Sequence, residues 1–316
     1  MRGPILVTGA TGFVGRHVVP RLIDRYGADR VIGVGRSDHD LMDPVEVRRL
    51  FRDKKPAVVI HLAGYSGGIG ANRSYPADFY YRNTLLTAHV FHEAARTRAE
   101  KLIYLVGACS YPAAARSPIG EDQMWEGFPE AASAGYSTAK KMGLVASMCY
   151  RQQYDLNSVV LVPGNLYGEF DNFHRDDSHV IPALIRRFHE ARDNGADQVR
   201  VWGSGRPLRD FVYAGDVANL IPFFIEDYDS SEPVNVSSGT ATSIAGLAEI
   251  IKEATDFDGE IAWDTSLKDG QMVKILDTGR LSALGLSCST PLRDGIARTV
   301  DWFSSNYARR PQALRL

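Results

Sequence analysis

Apolar residues fall along the chain in short runs separated by longer amphipathic stretches. Ile5 to Thr8, Arg30 to Val34, Ala57 to Leu62, Lys101 to Val106 and Ser158 to Val162 are mostly apolar runs, the signature of strands buried on both faces. Between them, apolar positions three and four apart predict helices running to about Tyr26, over Val45 to Arg52, from Pro76 to about Thr97, and over Ser133 to Tyr154. Strands that alternate with helices predict a parallel, doubly wound α/β sheet. That rhythm stops after Val162. A polar loop, Asp171 to His179, leads to a helix opened by Pro182, then to a short strand at Val199 to Trp202 and a return segment, Gly203 to Tyr213. From Ser237 a smaller α/β segment is predicted, with helices over Ile244 to Ala254 and Leu292 to Tyr307 and a strand at Ile261 to Trp263. At 316 residues the chain is long for one core. The reading is therefore a Rossmann-type domain formed by 1–164 with a return segment 211–236, and a smaller α/β domain formed by 165–210 with 237–316.

The first strand runs into Gly9-Ala10-Thr11-Gly12-Phe13-Val14-Gly15 and then a helix. Strand, glycine turn, helix is the order a pyrophosphate site requires, because glycines let the backbone approach the phosphates while the helix N-terminus offers unpaired N–H groups. The second strand ends in Gly35-Arg36-Ser37, where NAD-binding versions of this arrangement carry an acidic residue for the ribose 2′-hydroxyl. Arg36 reads instead as a contact for a 2′-phosphate, hence NADP(H), although Asp38 follows closely and a solvated surface arginine would have the same sequence. Beyond the third strand lies the glycine-rich segment Ala63 to Gly70, at the sheet edge where open α/β sheets bind ligands. His61, inside that strand, reads as a packed core residue.

Composition narrows the partners. Thirty-six basic residues stand against 38 acidic ones, for a net charge of −2, so nothing in the charge balance favours nucleic acid or an anionic membrane, and small molecules are expected. Three cysteines without close pairing form no disulfide framework and fit a reducing compartment. Cys149 and Cys288 read as packing. Cys109, just past the end of a central strand, is equally placed for chemistry or for packing. No apolar run reaches the length of a signal or transmembrane segment, so the chain reads as soluble and cytoplasmic. His174 and His179 lie among carboxylates, but their spacing matches no usual ligand pattern, and no metal is expected. Tyr136 and Lys140 sit four apart on one helix, where a fixed ammonium can favour the phenolate and bring proton transfer within reach of neutral pH.

These residues together carry a resemblance. The glycine motif, the Tyr136/Lys140 pair and His61-Leu-Ala resemble the extended short-chain dehydrogenase/reductases. More narrowly, Gly67-Gly-Ile-Gly-Ala-Asn72, Tyr75-Pro-Ala-Asp-Phe79, Cys109 with Tyr111-Pro112, Asp171-Asn-Phe-His174, Ser178-His-Val-Ile-Pro-Ala-Leu184, Phe188-His-Glu-Ala191 and Val201-Trp-Gly-Ser-Gly205 resemble the GDP-L-fucose synthase family, nearly end to end. The resemblance implies an NADPH-dependent enzyme that epimerises C3 and C5 of a GDP-linked 4-keto-6-deoxy sugar and reduces C4. It implies Cys109 and His179 as the proton carriers, with Tyr136 as the proton donor to the reduced oxygen and Lys140 beside it. It implies that the cofactor meets Gly9, Thr11, Gly12, Phe13, Val14, Gly15 and Arg36 in the first half of the sheet. Further along, it implies Leu62, Ala63 and Gly64, then Val106 and Gly107, then Pro163, Asn165, Leu166 and His179, as well as Tyr136 and Lys140. For the nucleotide sugar it implies Asn165, Arg187, Trp202, Arg209 and Asp269, and for assembly a homodimer through the helices at Pro76 to Thr97 and Ser133 to Tyr154.

One position departs from the family. Where its members carry a serine two residues before the cysteine, this chain has Gly107, and Ser110, at an odd offset along an extended segment, would point away. Three readings stay open: the two-step enzyme, an epimerase alone or a reductase of a bulkier 4-keto sugar, and a non-catalytic NADP(H)-binding regulator. A regulator has no need of Cys109, Tyr136, Lys140 and His179 together.

Overall fold

A computed structural model of the chain describes residues 3–266 and 269–309. The domain ranges read from the sequence also include residues 1, 2, 267, 268 and 310–316, which lie outside the described residues. The first half alternates as the apolar runs predict: β1 (Ile5–Thr8), α1 (Phe13–Tyr26), β2 (Val31–Val34), α2 (Pro44–Lys54), β3 (Val58–His61), α3 (Ile69–Ser74), α4 (Pro76–Arg96), β4 (Lys101–Leu105), α5 (Ala134–Tyr154) and β5 (Asn157–Pro163). Local chemistry sets the ends. Asp43 accepts a hydrogen bond from Val45 N and Pro44 occupies the first turn, so α2 starts one residue earlier than the periodicity alone indicates. Lys55 and Asp155 close α2 and α5 in the left-handed region.

The second half is woven differently. β6 (Asn165–Tyr167) is followed by α6 (Val180–Asp193), β7 (Gln198–Trp202), β8 (Leu208–Tyr213), α7 (Ala214–Glu226) and β9 (Val234–Val236). Then come β10 (Ala241–Ser243), α8 (Ile244–Ala254), β11 (Glu260–Asp264), β12 (Val273–Lys274), α9 (Gly279–Ala283) and α10 (Leu292–Arg309). Helix α6 begins at Val180 rather than Pro182, which makes His179 its N-cap residue.

Six strands form one parallel sheet in the order β2-β1-β3-β4-β5-β9. The chain leaves β1 toward β2 on one side and returns to β3 on the other, so the carboxyl ends of β1 and β3 flank the switch point where such sheets bind ligands. One apolar cluster covers the face under α2, α4 and α5, with Val47, Phe51, Val90, Phe91 and Leu144 at its centre. The other covers the face under α1 and α7, through Val18, Leu22, Val217, Ile221 and Phe224. Each such side chain taken fully out of water contributes roughly 1.5–3 kcal/mol, so the sheet is the rigid base of the molecule.

A third cluster unites α6, α8 and α10 through Leu184, Phe188, Leu247, Ile251, Ile296 and Phe303. It packs around a small sheet in which β8 pairs with β6, β10 and β12, beside a separate β7–β11 pair. Phe211 to Tyr213, assigned by the sequence reading to the return segment, pair in register with Asn165 to Tyr167 in this small sheet. The return to the main sheet is made by α7 and β9. Among the described residues no helix is long and apolar enough to cross a membrane.

Candidate active site

The glycine turn is forced by close approach. Gly9 sits at φ +72°, where L side chains are strained, and a Cβ on it would lie 2.6 Å from Ala63 N. A Cβ on Gly15 would lie 2.2 Å from Gly9 O, so only glycine lets α1 start this near the strand end. Gly12 caps α1 in an extended conformation without a side-chain hydrogen bond, which leaves the helix's first N–H groups open to the cavity. That cavity has a volume of about 900 Å³ and runs along the carboxyl edge of the sheet.

At one end stands Arg36, exposed and part of the cavity wall. Asp38 is turned away from ligand duty: its Oδ2 accepts a hydrogen bond from Gly35 N at 2.7 Å and closes the turn. A glycine cradle with a free helix end, an uncommitted guanidinium and a carboxylate tied to the backbone fits a dinucleotide bearing a 2′-phosphate. The cavity wall also contains every other cofactor residue expected from the sequence: Thr11, Phe13, Val14, Leu62, Ala63, Gly64, Val106, Gly107, Pro163, Asn165 and Leu166. Asn165 donates from its amide to Asp210 O at 2.8 Å, which leaves its carbonyl for a ligand.

At the centre, α5 brings Tyr136 and Lys140 to the ends of β4 and β5. Lys140 is buried and Tyr136 half-buried, and desolvation sets their acidity: it pushes the Tyr136 phenol up, with Cys109 and Tyr104 adding to the effect, and pushes Lys140 down to about 7. This corrects the expectation that the ammonium alone draws the phenol toward neutral pH. The Lys140 Nζ lies over the ring of Tyr104, 4.2 Å from its centroid.

Cys109 follows β4 in a single turn of 3₁₀ helix, Ala108 to Ser110, half-buried in the cavity wall. The segment is not extended, as the sequence reading assumed. Ser110 is nonetheless unable to replace the missing serine, because its hydroxyl is buried and donates to Ser137 O at 3.0 Å. Gly107 has φ −77° and ψ 147°, angles any residue adopts. A Cβ there would stand 3.1 Å from Cys109 Sγ and 3.7 Å from the Tyr136 hydroxyl, so the absent side chain is absent from the space between those two groups. Cys288 is buried, whereas Cys149 is exposed on α5, contrary to the expectation that it packs.

His179 faces the same cavity from the α6 N-terminus. Its loop is pinned to the glycine-rich segment: Gly68 N donates to Asp177 O at 2.7 Å, and Asn172 Nδ2 reaches the same carbonyl at 3.3 Å. A Cβ on Gly68 would lie 2.6 Å from Ser178 O, so that glycine serves close loop packing. Asn72 in turn donates to the carbonyls of Gly67 and Gly68.

The residues expected to hold the nucleotide sugar are spread more widely. Asp269 accepts from Ser204 N at 2.8 Å and Ser204 Oγ at 2.6 Å, beside Trp202 and facing Arg209. Arg209 is half-buried, and burial lowers its pKa. Arg187 stands exposed on α6, and none of these four is in the cavity wall. The link between them and the cavity is Lys274, which sequence reasoning missed. It pairs in register with Arg209 across β12 and β8, lines the cavity, and interacts electrostatically with Cys109. Two-residue strands leave no periodicity to read, so nothing in the sequence marked it. Hydrogen bonds from Ile119 N to Ile275 O and from Asp277 N to Ile119 O stitch β12 onto the segment that follows Cys109. Among the described residues no group of three or more His, Cys, Asp or Glu could hold a metal.

The model of the NAD-dependent epimerase/dehydratase family matches residues 5–237. A putative GDP-L-fucose synthase 2 of Arabidopsis thaliana is 40% identical over 98% of this chain and 94% of its own length. The crystal structure of a GDP-L-fucose synthetase from Naegleria fowleri bound to NADP superposes with a TM-score of 0.89 at 29% identity, over 99% of this chain and 96% of that one. A GDP-6-OMe-4-keto-L-xylo-heptose reductase from C. jejuni superposes with a TM-score of 0.89 at 26% identity, over 96% of this chain and 98% of that one. With identity of this extent along nearly the whole length, the chain belongs to the NAD-dependent epimerase/dehydratase family and, within it, to the GDP-L-fucose synthases.

Proposed function

We propose that the chain is an NADP(H)-dependent enzyme that epimerises a GDP-linked 4-keto-6-deoxy sugar at C3 and C5 and reduces it at C4. The observation that carries this reading is that one cavity is walled by a dinucleotide cradle, the Tyr136/Lys140 pair, Cys109 and His179. A C4 ketone acidifies the protons on both neighbouring carbons, so each can be removed as the electron pair moves onto the C4 oxygen. Cys109, as a thiolate, takes such a proton, and His179 returns one to the opposite face. Lys274 and Lys140 both interact electrostatically with Cys109. Bound NADPH supplies the hydride for C4. Tyr136 gives its proton to the developing alkoxide, and Lys140 orients the phenol and the nicotinamide ribose.

In this reading 1–164 with 214–236 hold the cofactor and 165–213 with 237–316 hold the sugar nucleotide, Asn165 standing between. Arg209 and Lys274 suit the pyrophosphate, with Arg187, Trp202 and Asp269 further out. The enzyme is a cytoplasmic homodimer: its cysteines are free, and α4 and α5 together expose Tyr80, Met142, Val145 and Met148, apolar side chains that a second copy would cover. A second reading, a reductase of a bulkier GDP-4-keto sugar, is favoured by the open space at Gly107.

Incubation with GDP-4-keto-6-deoxy-mannose, with and without NADPH, followed by product identification, tests the proposal. Epimerised keto sugars without NADPH and GDP-L-fucose with it are expected. No change in the sugar under either condition would contradict it.

A further inference from the structure

The mechanism uses Lys140 but not the buried aromatic beneath it. Tyr104 on β4 is fully buried, and α5 is fitted to it at two consecutive turns. A Cβ on Gly143 would lie 2.1 Å from the Tyr104 ring, so only glycine lets the helix settle against that edge. One turn earlier the Lys140 ammonium lies over the ring face, 4.2 Å from the centroid. The phenol also donates to Lys140 O at 3.3 Å and is met by the Thr87 hydroxyl at 3.0 Å. Behind it, His61 stacks on the ring at 5.7 Å and is held by the Thr8 hydroxyl at 2.7 Å. Thr8, His61 and Tyr104 are register partners across β1, β3 and β4, so the row is built into the sheet.

We propose that Tyr104 is a positioning residue for catalysis: its π face holds the Lys140 ammonium, keeping it charged and aimed into the cavity. An ammonium removed from water loses its hydration, and an aromatic face restores attraction without adding an ion. The charged and titratable groups that face Lys140 are Cys109 from the loop after β4, which favours the ammonium, and His61 from β3. Burial keeps His61 neutral, so it does not oppose the lysine, and burial likewise keeps the Tyr104 phenol protonated.

The inference rests on the reading that Lys140 serves the reaction, so its test measures the lysine without turnover. Competitive labelling with trace acetic anhydride, followed by mass spectrometry, gives the pH at which Lys140 titrates. Tyr104→Phe keeps the ring and should leave that titration within about 0.3 pH unit of wild type. Tyr104→Leu, or Tyr104→Met if the smaller residue does not fold, should move it acidward by about one pH unit, a tenfold change, since a desolvated cation–π contact is worth about that much. The alkaline limb of C4 reduction should move with it. Unchanged labelling in a folded Tyr104→Leu or Tyr104→Met protein, or an equal acidward shift in Tyr104→Phe, would overturn the proposal. A shifted titration in a protein that reduces no sugar would leave it standing and count only against the proposed function.

Discussion

At the scale of single residues, Gly107 carries the most information. A hydrogen-bond donor aimed at a developing oxyanion is typically worth about 2.7–4 kcal/mol, and glycine supplies none from a side chain. The backbone angles at Gly107 admit serine, and its Cβ would crowd Cys109 Sγ by only a few tenths of an ångström. Gly107→Ser should therefore fold, speed C4 reduction of a 4-keto-6-deoxy sugar and slow that of a bulkier 4-keto heptose. Unchanged rates of stopped-flow NADPH oxidation on both sugars would place the position outside the chemistry. Arg36 offers a cleaner sign. A guanidinium paired with phosphate contributes roughly 1.5–3 kcal/mol, so Arg36→Ala should weaken NADPH about 10-fold or more while barely changing NADH. Equal weakening of both cofactors in calorimetric titrations would refute the 2′-phosphate role.

At the scale of elements, the parallel sheet was legible because its strands are buried on both faces and read as unbroken apolar runs, as in Val58 to His61. The glycine turn was legible because backbone proximity at Gly9 and Gly15 excludes every other residue. The second sheet was not: β6, β10 and β12 are two or three residues long, and their pairing is decided by contacts far along the chain. Lys274 was hidden for that reason. The acidity of Tyr136 was misread because spacing reports neighbours on a helix but not the burial that outweighs them. The pinning of His179 by a glycine in α3's N-cap is likewise a tertiary contact. Gly68→Ala keeps favourable angles but drives a Cβ to within 2.6 Å of Ser178 O. It should slow solvent proton exchange at least about 10-fold with NADPH affinity changed far less. Wild-type exchange in that variant would detach the loop clamp from the chemistry.

At the scale of the whole molecule, the two halves meet along one cavity, and α4 and α5 also expose apolar side chains outside the cavity wall. Met148, at 61% exposure, and Tyr80, at 50%, are among the most exposed of these large side chains. The double change Tyr80→Glu with Met148→Glu should convert a dimer into a monomer in light scattering, because two buried carboxylates cost far more than the rim can return. A dimer that persists would place the interface elsewhere. The central claim is that proton exchange and hydride transfer are separate tasks of separate side chains in one cavity. It is tested most directly by incubating the protein with GDP-4-keto-6-deoxy-mannose in deuterated water without NADPH and locating deuterium by NMR. The account predicts label at C3 and C5 with the wild type and with Tyr136→Phe, and almost none with Cys109→Ser; exchange at the wild-type rate in Cys109→Ser would contradict it.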